Sequence, residues 1–223
     1  MIRWPADLGL QARMGMTLIL LGLVYVAFIG ALAYTGIDGL FLVLIVAGGL
    51  LAQYFFSDQL VLLSMGARLV SDEEEPHLHQ VMTRLAAIAG LPTPRIAIAD
   101  SPVPNAFATG RNQKNAVVAV TRGLLGILTP AELEAVLAHE LSHVRNRDVM
   151  VITLASLLST AAFFVLRLFL SAPRHGGRGG RDSLWFIVPL LSGAVWVISF
   201  LLIKALSRYR EFAADRGSAI LTG

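Results

Sequence analysis

The sequence contains no cysteine. Disulfides and thiolate metal sites are therefore excluded, and His, Asp and Glu are the remaining metal-ligand types. Charge is scarce as well: 15% of residues are Asp, Glu, Lys or Arg and 56% are hydrophobic, whereas a soluble domain carries about a quarter charged residues. That balance argues against an ordinary soluble domain and fits a membrane protein with one modest water-exposed domain. A basic stripe with interleaved aromatics is missing too, so nucleic acid is set aside as a partner. The formal charge of +3 and the pI of about 9.7 fit Arg near lipid headgroups instead. Histidine is rare, at five residues, which makes the placement of two of them in His139-Glu140-Leu141-Ser142-His143 informative.

Four long apolar runs are present: Met16 to Tyr34, Gly39 to Phe56, Val149 to Leu170 and Leu184 to Ile203. Each is near the roughly 20 residues that cross a hydrocarbon core. A signal peptide is excluded for the first run, because a second follows at once and no small-residue cleavage site leads into a secreted domain. Arg3 and Arg13 precede the first run, so the positive-inside bias puts the N-terminus in the cytoplasm. Two spans then return residues 57–148 to that side. The loop between the second pair, 171–183, holds Arg174, Arg178 and Arg181 and pulls against this topology; the first hairpin is expected to dominate.

Within the water-exposed part, Ser71-Asp72-Glu73-Glu74-Glu75-Pro76 places acids and a proline where a helix begins. Leu78, Val81, Met82, Leu85 and Ile88 follow at helical spacing and stop at Gly90. Ile96 to Ala99 and Asn115 to Thr121 read as strands, the second as a buried or an edge strand, with the polar segment Gly110 to Lys114 expected to be a hairpin connection. Thr129-Pro130-Ala131-Glu132 has the form of a capping box with Pro at the first helical position, which starts a helix running through His143.

On that helix His139 and His143 are four residues apart, one turn along the same face, where two imidazoles meet one Zn²⁺. Leu133, Val136, Leu137, Leu141 and Val144 define an apolar arc, and Glu140 falls inside it. An unpaired carboxylate on an apolar stripe is costly, which disfavours a mere solvated acid. A catalytic role explains it: a carboxylate beside a metal-activated water takes its proton and later passes it to the leaving amine. A third ligand is needed. The longer pattern with Gly and a third His downstream is absent, because those positions hold Asn146 and Val149. Asp148 is near in sequence but would have to fold back. Glu211, just past the fourth apolar run, returns to the same side of the membrane if both runs span, and is favoured over its alternative as a juxtamembrane charge paired with Arg208 or Arg210. Asp215, one turn on, suits a carboxylate that hydrogen-bonds a ligating histidine. Arg208, Tyr209 and Arg210 are candidate oxyanion partners by proximity, with membrane-edge anchoring the plainer reading of both arginines. His77 and His79 read as surface histidines, and His175 lies in a Gly/Arg loop without a catalytic role.

HELSH, an apolar pair, and then SRYREFAADRGSA resemble the HtpX-like membrane zinc metalloproteases of the M48 peptidase group. Asn105-Ala106-Phe107-Ala108-Thr109-Gly110 and the strand ending AVVAVTRGLL resemble that family as well. The resemblance covers nearly the whole chain. It implies one Zn²⁺ held by His139, His143 and Glu211, with Glu140 as acid and base and Asp215 as the supporting carboxylate. It also implies quality control of membrane proteins as the role. Asn115, Ala116, Val117, Val118 and Ala119 would belong to the edge strand that pairs with extended substrate. Family members usually continue with more helical sequence, so the resemblance implies that a stretch beyond Gly223 is lacking.

The expected fold is α+β: a mainly helical membrane protein with four apolar spans and a zincin-like catalytic domain carrying a small sheet. The expected divisions are a transmembrane hairpin over 1–57, a cytoplasmic metalloprotease domain over 58–148, a second helix pair over 149–206 with its Gly/Arg loop, and a returning third-ligand helix over 207–223. The expected function is a zinc endopeptidase in the cytoplasmic membrane, cutting misfolded or damaged membrane proteins with its active site facing the cytoplasm. Protein substrates and the lipid bilayer are its partners, and the oligomeric state is open. Two alternatives stand beside it. An intramembrane protease is disfavoured by the charged border Val144 to Asp148. A non-catalytic scaffold or holdase with structural zinc would need a fourth protein ligand.

Overall fold

The computed structural model describes residues 8–34, 48, 51–52, 55–56, 58–171 and 184–222. They separate into two units: the described residues of 52–151 with 209–222, and those of 8–51 with 152–208.

The first unit is built on a four-stranded sheet in the order β1-β2-β4-β3, where β1 is Ala67–Leu69, β2 Arg95–Ala99, β3 Ala106–Thr109 and β4 Val117–Thr121. β2 and β4 run parallel, while β1 on β2 and β3 on β4 are antiparallel. The strand period of two sorts the sheet's side chains. Ile96, Ile98, Val118 and Val120 face a core shared with Val81 and Leu85 of helix α2 (Pro76–Ala89) and Leu137 and Leu141 of helix α4 (Pro130–Arg145). Ala97, Val117 and Ala119 face the other way, towards Leu62 and Phe107. A short helix α3, Arg122–Leu125, follows β4 directly.

Local chemistry sets the helix ends. Pro76 opens α2, and Gly90 closes it at φ 68°, where a residue with a Cβ is strained. Thr129 caps α4: the Glu132 N–H donates to its hydroxyl, and Glu132 Oε2 accepts from the Thr129 N–H at 2.8 Å.

Two sequence expectations change here. Residues 110–114 do not connect the strands Ile96–Ala99 and Asn115–Thr121 as a hairpin, since those strands are parallel neighbours. The hairpin joins β3 to β4, and β3 escapes pattern reading because Ala-Phe-Ala-Thr has no β-branched residue before its last position. Gly110 makes that hairpin possible: at φ 121° a Cβ would sit 2.5 Å from the Asn115 carbonyl oxygen. The second change concerns β4, which is not an edge strand. It is paired with β2 on one side and β3 on the other, and all five of its residues are buried. Its backbone, including Val117, Val118 and Ala119, has no ladder bonds left for a substrate, while Asn115 and Ala116 precede it as a 3₁₀ turn and its cap.

The second unit is helical: α1 (Leu8–Tyr34), most of α5 (Asp148–Ser171) and most of α6 (Leu184–Thr222). Among the described residues, two stretches, Leu8–Gly30 and Phe186–Thr222, are long and apolar enough to cross a bilayer, with mean hydropathies of 2.0 and 2.5. Large apolar side chains such as Leu8, Leu23, Phe186 and Leu190 lie exposed on them. The expected second span falls largely outside the described residues, as does the loop 172–183. The third expected run lies in α5. The fourth is continuous with residues 207–222 in one helix, so the segment carrying Glu211 is the end of α6 rather than a helix of its own.

Candidate metal centre

α4 presents the two histidines as its 3.6-residue repeat requires, with ring centroids 4.9 Å apart and edge-to-face at 82°. The C-terminal part of α6 packs along the same helix: Ser218 donates to the Ala135 carbonyl at 3.0 Å, and Leu221 enters the core beside α4. That docking brings Glu211 to the histidines across a large separation in sequence. Oε2 of Glu211 lies 3.3 Å from Nε2 of His139 and 3.7 Å from Nε2 of His143, and the two Nε2 atoms are 3.2 Å apart. One ligand atom from each residue falls within 4.8 Å of the others.

Whether these residues fit a metal ion can be tested on tautomers and distances. Nδ1 of His143 is 2.6 Å from Oδ2 of Asp148, and Nδ1 of His139 is 3.0 Å from Oδ1 of Asp215. A carboxylate accepts only, so each Nδ1 carries a proton and each Nε2 is the ring atom turned towards Glu211. Two ring nitrogens and a carboxylate oxygen then converge on one point, as the ligands of one cation would. Three ligand atoms bonded at about 2.0–2.1 Å in tetrahedral directions lie roughly 3.3–3.4 Å apart, and the separations here are 3.2, 3.3 and 3.7 Å. The group fits a divalent cation with nitrogen and oxygen preferences.

Glu140 sits between the histidines in sequence and is 9% exposed. Burial pushes its carboxyl pKa up; the nearby His143 and His139 and a hydrogen bond from the Ala108 N–H oppose that rise, and Glu211 adds to it. Ala108 belongs to β3, one of the two edge strands of the sheet. Thr121 donates to the Asn105 carbonyl at 3.0 Å. By antiparallel alternation, Phe107 and Thr109 then bond to β4, while Ala106 and Ala108 turn their N–H and C=O groups to the open edge. Beside His143, Thr109, Gly110, Asn112 and Arg147 line a small hollow.

Asp148 is the residue whose part the sequence reading missed. α4 does not continue through it. The helix ends at Arg145, whose carbonyl is capped by the Gln113 side chain at 2.9 Å, and Arg147 takes φ 56°. That left-handed residue turns the chain so that Asp148, at the start of α5, folds back onto His143 as a hydrogen-bond partner of Nδ1. The available signal was Asn146 directly after a basic last turn, a common helix-stop pattern. Of the oxyanion candidates, Arg210 is corrected: its side chain is 5% exposed and its guanidinium is committed to the backbone carbonyl of Asp148 and, at 2.8 Å, to its Oδ2. Tyr209 is half-buried, and Arg208 falls in the helical unit. His79 is tied to Asp72 and the Val70 carbonyl, away from this group.

Residues 72–223 match peptidase family M48. Protease HtpX homolog 2 of Methanosarcina mazei is 55% identical over 222 residues, covering 99% of this chain and 76% of that protein. A protease HtpX homolog of Moorella thermoacetica is 54% identical over 221 residues, covering 98% of this chain and 74% of that protein. Among solved structures, the crystal structure of S. mikatae Ste24p matches 96% of this chain with a TM-score of 0.56 at 20% identity, a likeness of fold alone, and this chain spans 56% of that one.

Proposed function

The chain belongs to peptidase family M48 as an HtpX-like metalloprotease, and from that premise we propose that it is a zinc endopeptidase of the cytoplasmic membrane. His139, His143 and Glu211 would hold the ion, with Glu140 as the acid and base. The observation that carries the reading is the convergence of three ligand atoms at 3.2–3.7 Å beside a buried carboxylate. Three protein ligands leave a coordination position open, which favours catalysis over the scaffold reading. Bound there, zinc would polarise the scissile carbonyl and make a water molecule acidic near neutral pH.

The chain's own groups do the rest. Asp148 and Asp215 fix both histidines with Nε2 as the donor atom. Glu140, its pKa raised by burial, is a stronger base than a solvated carboxylate; it accepts the proton of water and returns it to the leaving amine. The substrate-pairing role passes from β4 to β3. The Ala106 N–H and the Ala106 and Ala108 carbonyls are free of the ladder and could bind an extended peptide as an added strand.

The finer expectations belong to this proposal: four spans, a catalytic domain over 58–148 completed by 207–223, an active site facing the cytoplasm, and misfolded membrane proteins as substrates. Two apolar helices and the HtpX-named relatives support the membrane setting. The test is cleavage of an unfolded membrane protein by purified, zinc-loaded chain. Glu140→Gln is expected to lower turnover by about 10² to 10⁴-fold, the usual contribution of a positioned general base. Equal cleavage by both proteins would overturn the mechanism.

A further inference from the structure

Arg210 is 4% exposed, although arginine ordinarily keeps its head in water. Its guanidinium donates to the Asp148 backbone carbonyl and pairs with Asp148 Oδ2 at 2.8 Å, and that same oxygen lies 2.6 Å from His143 Nδ1. The next residue along α6 is Glu211, which meets Nε2 of both histidines. Two consecutive residues of one helix thus grip the metal group from both ends of the His143 ring, one at Nε2 and the other through the carboxylate at Nδ1. Replacing a buried ion pair by apolar residues is often neutral or stabilising, so stability alone gives little reason to keep this one.

We propose that Arg210 is the positioning residue of the metal centre: it locks Asp148 against His143 and sets the register at which Glu211 meets the two histidines. This inference rests on the metal-site reading above. The fork of the guanidinium is what the role requires, because one planar group serves a carbonyl and a carboxylate at once, whereas a lysine offers a single point charge.

The test uses the full chain in detergent, freed of metal by a chelator. Zinc affinity is measured by competition with a chromophoric chelator, and the geometry of the site from the visible spectrum of the Co²⁺-loaded protein. Arg210→Lys is expected to weaken zinc binding about 10- to 100-fold and to shift the cobalt bands. In an Asp148→Asn background the same change should cost less than about twofold, because both act through one path. Arg210→Met combined with Asp148→Leu removes both charges; it should melt near the wild-type temperature without metal and still bind zinc weakly. Wild-type affinity and an unchanged cobalt spectrum in Arg210→Lys, or in the double variant, would overturn the proposal while leaving the metal site standing. A wild-type chain that binds no metal would overturn both.

Discussion

The two flanks of the candidate metal centre are built from the same parts in opposite surroundings. On one, His143 leans on Asp148, whose side chain is 4% exposed and held in turn by the buried Arg210. On the other, His139 leans on Asp215, which is 67% exposed. Both carboxylates fix a tautomer, yet the effective dielectric around them differs several-fold. The Asp148 flank is therefore part of the core, where losing one partner strands a charge. The Asp215 flank is a surface contact, screened by salt and able to adjust. The difference teaches that the fold holds one histidine of the candidate site within its core and leaves the other, with the half-exposed Glu211, on the solvent side.

The largest effect should come from breaking the buried flank. Arg210→Met leaves Asp148 buried with its one charged partner gone and His143 as its remaining side-chain partner. Removing one member of such a pair costs about 3–5 kcal/mol, enough to lower the melting temperature of the metal-free protein by many degrees. Adding Asp148→Leu should recover most of that loss. Thermal melts of the single and paired variants measure both, and a single variant as stable as wild type would mean that the flank is far wetter than its geometry implies.

A smaller effect is expected on the exposed flank. Asp215→Asn should change stability by under about 1 kcal/mol and weaken zinc binding less than Asp148→Asn does. Raising the salt from about 0.05 to 1 M should shrink the Asp215 effect and leave the Asp148 effect nearly intact, because exposed charges are screened over about 3 Å at the higher strength. Chelator competition at the two salt concentrations measures this. Equal losses in both variants, with equal salt dependence, would abolish the distinction between the flanks.

How legible this was in sequence follows from the same contrast. The capping box Thr129–Glu132 and the apolar arc of α4 could be read directly, because both are local and periodic. So could the adjacency of His139 and His143, and the burial of Glu140 followed from the wheel. The hairpin was misread because β3, Ala106–Thr109, is short and alanine-rich, and because the parallel pairing of β2 with β4 is non-local. Asp148 was misjudged because a single residue, Arg147 at φ 56°, reverses the chain, and no composition rule forces an arginine into that conformation. Arg210 was misassigned because its partner lies 62 residues away in sequence. Proximity to Glu211 suggested chemistry, where packing instead commits the side chain to Asp148.

A pH-dependent effect is expected at Glu140, which lies between the two flanks. Its folded pKa is raised, chiefly by burial. A raised carboxyl pKa means that the fold favours the neutral acid. Its contribution to stability is fully present below the unfolded carboxylate range near pH 4 and is lost as pH rises through the folded value. In metal-free protein, Glu140→Gln removes that loss and keeps the shape. The variant should therefore be more stable than wild type at pH 8, by roughly 1–2 kcal/mol on the scale of an imperfectly satisfied buried polar group. The gain should fade as the pH falls towards 4. Denaturant melts of both proteins across that range, each with chelator present, follow the difference. A difference that grows on acidification would mean that the ionised carboxylate is the form the fold prefers, held by the two histidines and the Ala108 N–H more strongly than burial opposes it.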